Sequence, residues 1–160
     1  MSQRLLESGP RNWFADWPIE AGPRHAACVY TVWDHTGGFI YVGMAGRGMS
    51  GADIANHRTE GGRPRGLWER LNSHASGRRS GDQFCVYVAD RLVLPNLDAD
   101  QVEAIATGDL TFDSLVRSYI RSNLAFRFCE TADGTEALQV EREIQRGPNP
   151  FGSPLLNPSS

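Results

Sequence analysis

The sequence predicts an α+β fold in one domain, with a small central antiparallel or mixed β-sheet flanked by helices. Two short runs rich in β-branched and aromatic residues meet across a glycine-bearing turn, and a third such run lies near the carboxyl end. Three further stretches repeat apolar residues at helical spacing. With 160 residues and 40 % hydrophobic content the chain can bury a single core, so one domain is expected.

Residues 1–25 hold Gly9-Pro10, Trp13, Trp17-Pro18 and Gly22-Pro23, and are expected to form an irregular arm whose aromatics pack on the domain. The domain itself is expected over 26–160. Ala26 to Trp33 and Phe39 to Met44 form a hairpin around Asp34-His35-Thr36-Gly37-Gly38. With a four-residue connection, Asp34 pairs with Phe39, Val32 with Tyr41 and Tyr30 with Gly43. Side chains alternate along a strand, so Tyr30 and Tyr41 then share a face as diagonal neighbours roughly 7 to 8 Å apart. Gly43, opposite Tyr30, leaves room for another molecule to approach. Strand tyrosines also serve as plain core packing, and that alternative stands for these two.

The stretch from Ala45 to Arg65 carries glycines 46, 48, 51, 61 and 62 and few apolar residues, so a long surface loop is expected. Leu67 to Ala75 reads as helix and Gln83 to Leu94 as strand. Residues of about 90–122 read as an acidic, helical insertion, with Leu115, Val116, Tyr119 and Ile120 at helical spacing. Leu124 to Glu130 is a further strand. The last helix starts at Asp133, a good N-cap with Glu136 three positions on, and runs to about Gln145.

Net charge is −3, which argues against indiscriminate binding to polyanions, but the charge is unevenly spread. Seven arginines (Arg47, Arg58, Arg63, Arg65, Arg70, Arg78, Arg79) share one segment with three acids (Asp53, Glu60, Glu69). From Asp90 to Asp113 six acids (Asp90, Asp98, Asp100, Glu103, Asp109, Asp113) stand against Arg91 alone, so one surface is expected to be basic and another acidic. All 16 basic residues are arginine, whose planar fork suits bidentate phosphate contacts; a compositional bias of the genome gives the same pattern. Cys28, Cys85 and Cys129 match neither a CxxC metal knuckle nor a disulfide framework, and are expected to be reduced core residues. The chain shows no signal-peptide run and no stretch near the roughly 20 apolar residues of a membrane span, so a cytoplasmic protein without membrane attachment is expected.

Two helices place charges where apolar residues belong. Leu67, Arg70, Leu71 and His74 form one i, i+3, i+4, i+7 stripe, which puts Arg70 and His74 one turn apart on the packing face. A buried guanidinium is costly unless paired, so a polar cleft is expected there; a rotated helix with both residues in solvent is the alternative. Ala137, Val140, Glu141 and Ile144 repeat the pattern, with Glu143 on the solvent side beside Gln139 and Glu136. A single inward carboxylate suits a Mg²⁺ that keeps several waters and takes phosphate as a further ligand. An internal salt bridge, for instance with Arg127, is the alternative.

The order and type of these residues resemble the GIY-YIG nucleases. Val29-Tyr30 looks like the first motif, Tyr41-Val42-Gly43 like the second, Arg70 in Leu67-Trp68-Glu69-Arg70-Leu71 like the family's helical arginine, and Glu141 like its metal-binding glutamate. Asn157 in Pro154-Leu155-Leu156-Asn157 resembles the asparagine that closes many such domains. The resemblance covers about 26–157. Departures are Cys28 in place of a glycine before Val29, and Met44 in place of a lysine, a charge that Arg47 or Arg58 would replace. The long connection between Gly43 and Arg70, and His74 four residues after the arginine, look more like the restriction-enzyme branch than the repair-type members.

The resemblance implies a GIY-YIG-like domain that hydrolyses phosphodiesters in DNA with Mg²⁺, for which Mn²⁺ substitutes. In that reading Tyr30 is the general base, aided by His74; Tyr41 positions water or phosphate; Arg70 binds the scissile phosphate; Glu141 holds the metal; and Asn157 supports the site. Arg47, Arg58, Arg63, Arg65, Arg78 and Arg79 would contact flanking backbone. The alternative is a catalytically silent nucleic-acid-binding or protein-interaction module on the same fold. Single- and double-stranded DNA both remain open as partners, and a homodimer is one possible assembly, required for a palindromic target but not for nicking.

Overall fold

Residues 2–20 and 22–157 are described by a computed structural model; residues 1, 21 and 158–160 of the expected arm and domain lie outside the described residues. Along the chain run α1 (Ser2–Ser8), β1 (Asn12–Trp13), a 3-10 turn (Phe14–Asp16), β2 (His25–Ala26), β3 (Cys28–Asp34) and β4 (Phe39–Ala45). Next come α2 (Gly51–Glu60), β5 (Arg65–Gly66), α3 (Leu67–Ser76) and α4 (Gln83–Val88), which continues as a π-helical stretch (Ala89–Val93) and a 3-10 turn (Leu94–Asn96). Then follow α5 (Ala99–Thr107), α6 (Phe112–Asn123), β6 (Leu124–Glu130) and α7 (Gly134–Arg146). The fold is α+β: an antiparallel sheet of order β1-β6-β3-β4, with β2 and β5 paired in parallel beside it.

Alternation along the strands divides the core in two. Cys28, Tyr30 and Val32 of β3 and Phe126 of β6 pack under α3, α4 and α6, with Leu71, Phe84, Val88, Val116 and Ile120. Val29, Trp33, Val42 and Met44 face the other way, onto Leu6 of α1 and Ala137 and Ile144 of α7. The amino-terminal segment, which carries α1 and β1, buries Leu6, Phe14 and Trp17, and β1 extends the sheet through β6. The three cysteines are free and buried. No helix among the described residues is long and apolar enough to cross a membrane.

Three expectations about the elements and their register are overturned. The surface loop expected from Ala45 to Arg65 contains α2. Ser50 caps this helix, its hydroxyl accepting from the Asp53 N–H while the Asp53 carboxylate accepts from the Ser50 N–H. Ile54 is its one buried residue, so the apolar pattern sought in the sequence is not what forms it. The strand expected from Gln83 to Leu94 is α4 with its continuation. Asp82 caps its start, and Phe84, Cys85, Val88, Ala89 and Val93 are the side chains it buries, a helical spacing that the β-branched and aromatic content obscured.

The third correction is at the hairpin. Tyr30 pairs with Gly43 and Val32 with Tyr41 as expected, but Trp33, not Asp34, pairs with Phe39. Ile40 is the extra residue of a β-bulge and joins Tyr41 in the core under α3 and α4. The Asp34 carboxylate closes the turn, its Oδ1 accepting from the Thr36 N–H (2.9 Å), the Thr36 hydroxyl (2.7 Å) and the Gly38 N–H (2.7 Å).

Candidate functional site

β4 is an edge strand, and its outward backbone groups meet the rest of the chain. The Asn157 amide spans Val42, its Oδ1 accepting from Val42 N–H (2.8 Å) and its Nδ2 donating to Val42 C=O (2.9 Å). Leu156 N–H donates to Ile40 C=O (2.9 Å), so the carboxyl-terminal segment covers this edge. One step further along, the Met44 N–H faces the Glu141 carboxylate. Glu141 thus arrives from α7, on the sheet face opposite α3, and meets the strand carrying Tyr41 and Gly43 at its edge.

On the α3 face the two tyrosines lie as the sequence places them, on one side of the sheet, with ring centroids 6.3 Å apart. Tyr30 is 1 % exposed, and its hydroxyl meets His74 Nε2 at 2.7 Å. His74, also 1 % exposed, meets Asp82 Oδ2 through Nδ1 at 2.6 Å. The directions of these bonds follow from the partners. The Asp82 carboxyl stands below its ordinary range: burial alone would raise it, but the hydrogen bond from His74 and those of α4 outweigh burial. An ionised carboxylate only accepts, so Nδ1–H donates to it; the neutral imidazole then offers Nε2 as acceptor, and Tyr30 donates. Burial holds His74 below its ordinary value despite the pull of Asp82, which keeps it neutral. Phe84 packs on the imidazole, with centroids 4.4 Å apart, and on Tyr41 at 5.1 Å.

Burial pushes the Tyr30 phenol well above its ordinary value, and Tyr41 adds to this while Arg70 opposes it. Tyr41 is raised too, by burial and then by Glu141. Burial likewise raises Glu141, which is half-buried; the Met44 N–H, Arg47, Arg70 and Arg142 oppose the rise. The salt bridge considered for Glu141 is not formed, because Arg127 donates to Gly9 C=O (3.0 Å) and lies over Trp33. No three His, Cys, Asp or Glu side chains gather into a metal-ligand set among the described residues. One hard oxygen donor among guanidinium groups fits a Mg²⁺ that keeps most of its waters and shares a phosphate.

Arg70 is not on the packed face where the helical stripe puts it. It is exposed, while Leu67, Leu71 and His74 are buried. It lines a cleft of about 340 Å³ with Gly46, Arg47, Met49, Arg65, Gly66, Glu69 and Ser73. The remaining arginines divide. Arg58 pairs with Glu130 and donates to His25 C=O (3.2 Å), and Arg79 pairs with Asp113 (2.6 Å) and lies over Phe112. Arg63 reaches Glu69 at 3.9 Å, and Arg78 lines a second, polar cleft with Asn72, Ser73, Ser76, Ser80, Gly81 and Asp82. Of the two residues weighed as replacements for the missing lysine at Met44, Arg47 faces the cleft and Arg58 is engaged elsewhere.

Asp82 is not among the candidate residues that the sequence offers. Gly81-Asp82 ahead of an apolar run is a helix-start signal, but the strand-like composition of α4 masks it. The chain matches no protein-family model, no curated protein and no solved structure.

Proposed function

We propose that the protein is a metal-dependent DNA endonuclease. The observation that carries this reading is the buried Tyr30–His74 hydrogen bond, made by the same helix α3 that presents Arg70 to a cleft lined also by Arg47 and Arg65. A phosphodiester in the cleft would place its non-bridging oxygens against these guanidinium groups, which stabilise the extra negative charge of the transition state. Tyr30 would take a proton from the attacking water as its own hydroxyl proton passes to His74 Nε2. The water's electron pair forms the new P–O bond, and the bond to the leaving oxygen breaks with its pair. A phenol raised this far by burial has no resting phenolate to offer, so the relay to His74 is what makes it a base. Glu141 would hold one Mg²⁺, or Mn²⁺, which supplies charge neutralisation at the phosphate and the leaving oxygen. Tyr41 orients the reacting groups, and Asn157 fixes the strand that carries Tyr41 and Gly43.

Complete burial of Tyr30 favours a second reading, a silent nucleic-acid-binding module in which the phenol is core and the cleft only binds. Incubation with single-stranded, duplex, branched and modified DNA in Mg²⁺ or Mn²⁺ separates the two. The nuclease reading expects strand scission of at least one substrate, stopped by EDTA. Binding without scission of any substrate supports the silent module.

A further inference from the structure

Asp82 is the buried end of the Tyr30–His74 arrangement, and two features set it apart from an ordinary helix cap. Its oxygens divide the work: Oδ1 accepts from the Phe84 N–H (3.1 Å) at the start of α4, and Oδ2 accepts from His74 Nδ1 (2.6 Å). It is also 5 % exposed, whereas the other capping residues, Ser50, Asp98, Thr111 and Asp133, are exposed or half-buried. A cap needs only a side-chain oxygen, and Ser, Thr or Asn supplies one without a charge. Burying a carboxylate is costly unless it is paired, so its charge calls for a second role.

We infer that Asp82 is a positioning residue that holds His74 in the Nδ1–H tautomer, leaving the Nε2 lone pair aimed at Tyr30, and that steadies the imidazolium formed when the Tyr30 proton arrives. A neutral imidazole has one proton for two nitrogens, and whichever nitrogen faces the carboxylate keeps it. Without Asp82 the proton is free to sit on Nε2, which then cannot accept from Tyr30. The proton count closes: one leaves water for Tyr30, one leaves Tyr30 for His74 Nε2, and the resulting imidazolium lies against the carboxylate charge. The Arg70 charge opposes protonation of His74, and the Asp82 carboxylate counters it. The Cys85 thiol of α4 also donates to the His74 backbone C=O (3.5 Å), a second tie between the two helices.

This inference rests on the nuclease reading for its kinetic arm only. Asp82→Asn is the informative variant, because asparagine caps a helix as well as aspartate and has nearly its shape. Long-range ¹H–¹⁵N spectra of histidine-labelled protein read the His74 tautomer, and single-turnover cleavage with DNA affinity in Ca²⁺ reads the function. The wild type is expected to show Nδ1–H, and Asp82→Asn to move His74 toward Nε2–H. Cleavage by the variant is expected to slow by about 10²- to 10⁴-fold while affinity changes less than about two-fold, the pattern of a residue acting on chemistry and not on binding. An Nε2–H tautomer in the wild type overturns the inference whether or not the variant folds. Cleavage by Asp82→Asn at the wild-type rate overturns it and leaves the nuclease reading standing. If wild-type protein cuts no DNA, that reading fails, and the tautomer spectra still decide for or against Asp82.

Discussion

Gly43 and Tyr30 explain each other. The sequence pairs them across the hairpin and assigns the missing side chain to an approaching molecule, but the Tyr30 phenol itself fills that space. A Cβ at residue 43 would lie 2.4 Å from Tyr30 Oη and 2.8 Å from a Tyr41 ring carbon, so Gly43→Ala must push the phenol away from His74. A displacement near 1 Å at a reacting group costs about 100-fold in rate, and single-turnover cleavage by Gly43→Ala should show a loss of that order while the protein still folds. The arginines test binding separately. Arg47→Ala removes a cleft-lining guanidinium and should lower the slope of log affinity against log salt by about one, measured by fluorescence anisotropy. Arg79→Ala breaks an ion pair with Asp113 and should change that slope less. Types and positions of Tyr30, Tyr41, His74 and Glu141 were readable from strand and helix periods. Which arginines are free was not, because Glu130 and Asp113, the partners of Arg58 and Arg79, lie far away in sequence.

The helices with an apolar stripe are readable in the sequence, whereas α2 and α4 are not, each for its own reason. α3, α6 and α7 carry such stripes and lie where the periodicity puts them. α2 depends on its Ser50–Asp53 capping box, and α4 buries so much of its surface that its run resembles a strand. α7 combines both devices, and its start is tied to the cleft. Asp133 Oδ1 accepts from the Thr135 and Glu136 N–H groups (2.8 and 2.9 Å), and Gly134 N–H donates to Met49 C=O (2.9 Å). A Cβ at residue 134 would stand 2.2 Å from the Gly46 carbonyl oxygen, so the helix carrying Glu141 sits against the turn carrying Arg47 at a distance only glycine permits. Asp133→Ala should cost about 1 kcal/mol in urea unfolding, the usual cost of a lost cap, with most of the cleavage rate retained. Glu141→Ala should leave stability nearly unchanged and abolish cleavage.

The sheet order brings these parts together. β4, paired on one side only, lets α7 reach the edge from one face and α3 approach from the other, a meeting that no local pattern in the sequence encodes. The same burial makes the whole molecule sensitive to acid. His74 lies below its ordinary value of 6.5 because burial disfavours the imidazolium, and His25 is lowered by burial and then by His57, Arg24, Arg58 and Arg65. Below that ordinary value the unfolded chain takes up protons that the folded one refuses, so stability is full above it and falls as the pH drops through it. Urea midpoints should be lower at about pH 5.5 than at about pH 7.5, and His74→Gln should weaken the difference. The central claim is that Tyr30 and Glu141 serve one metal-dependent hydrolysis. It is tested most directly by single-turnover cleavage of a DNA substrate in Mg²⁺ by wild type, Tyr30→Phe and Glu141→Ala, with affinity measured in parallel. The account predicts scission by the wild type that EDTA stops, loss of at least about 100-fold in both variants, and affinities within about two-fold of wild type. Cleavage by both variants at the wild-type rate would contradict it.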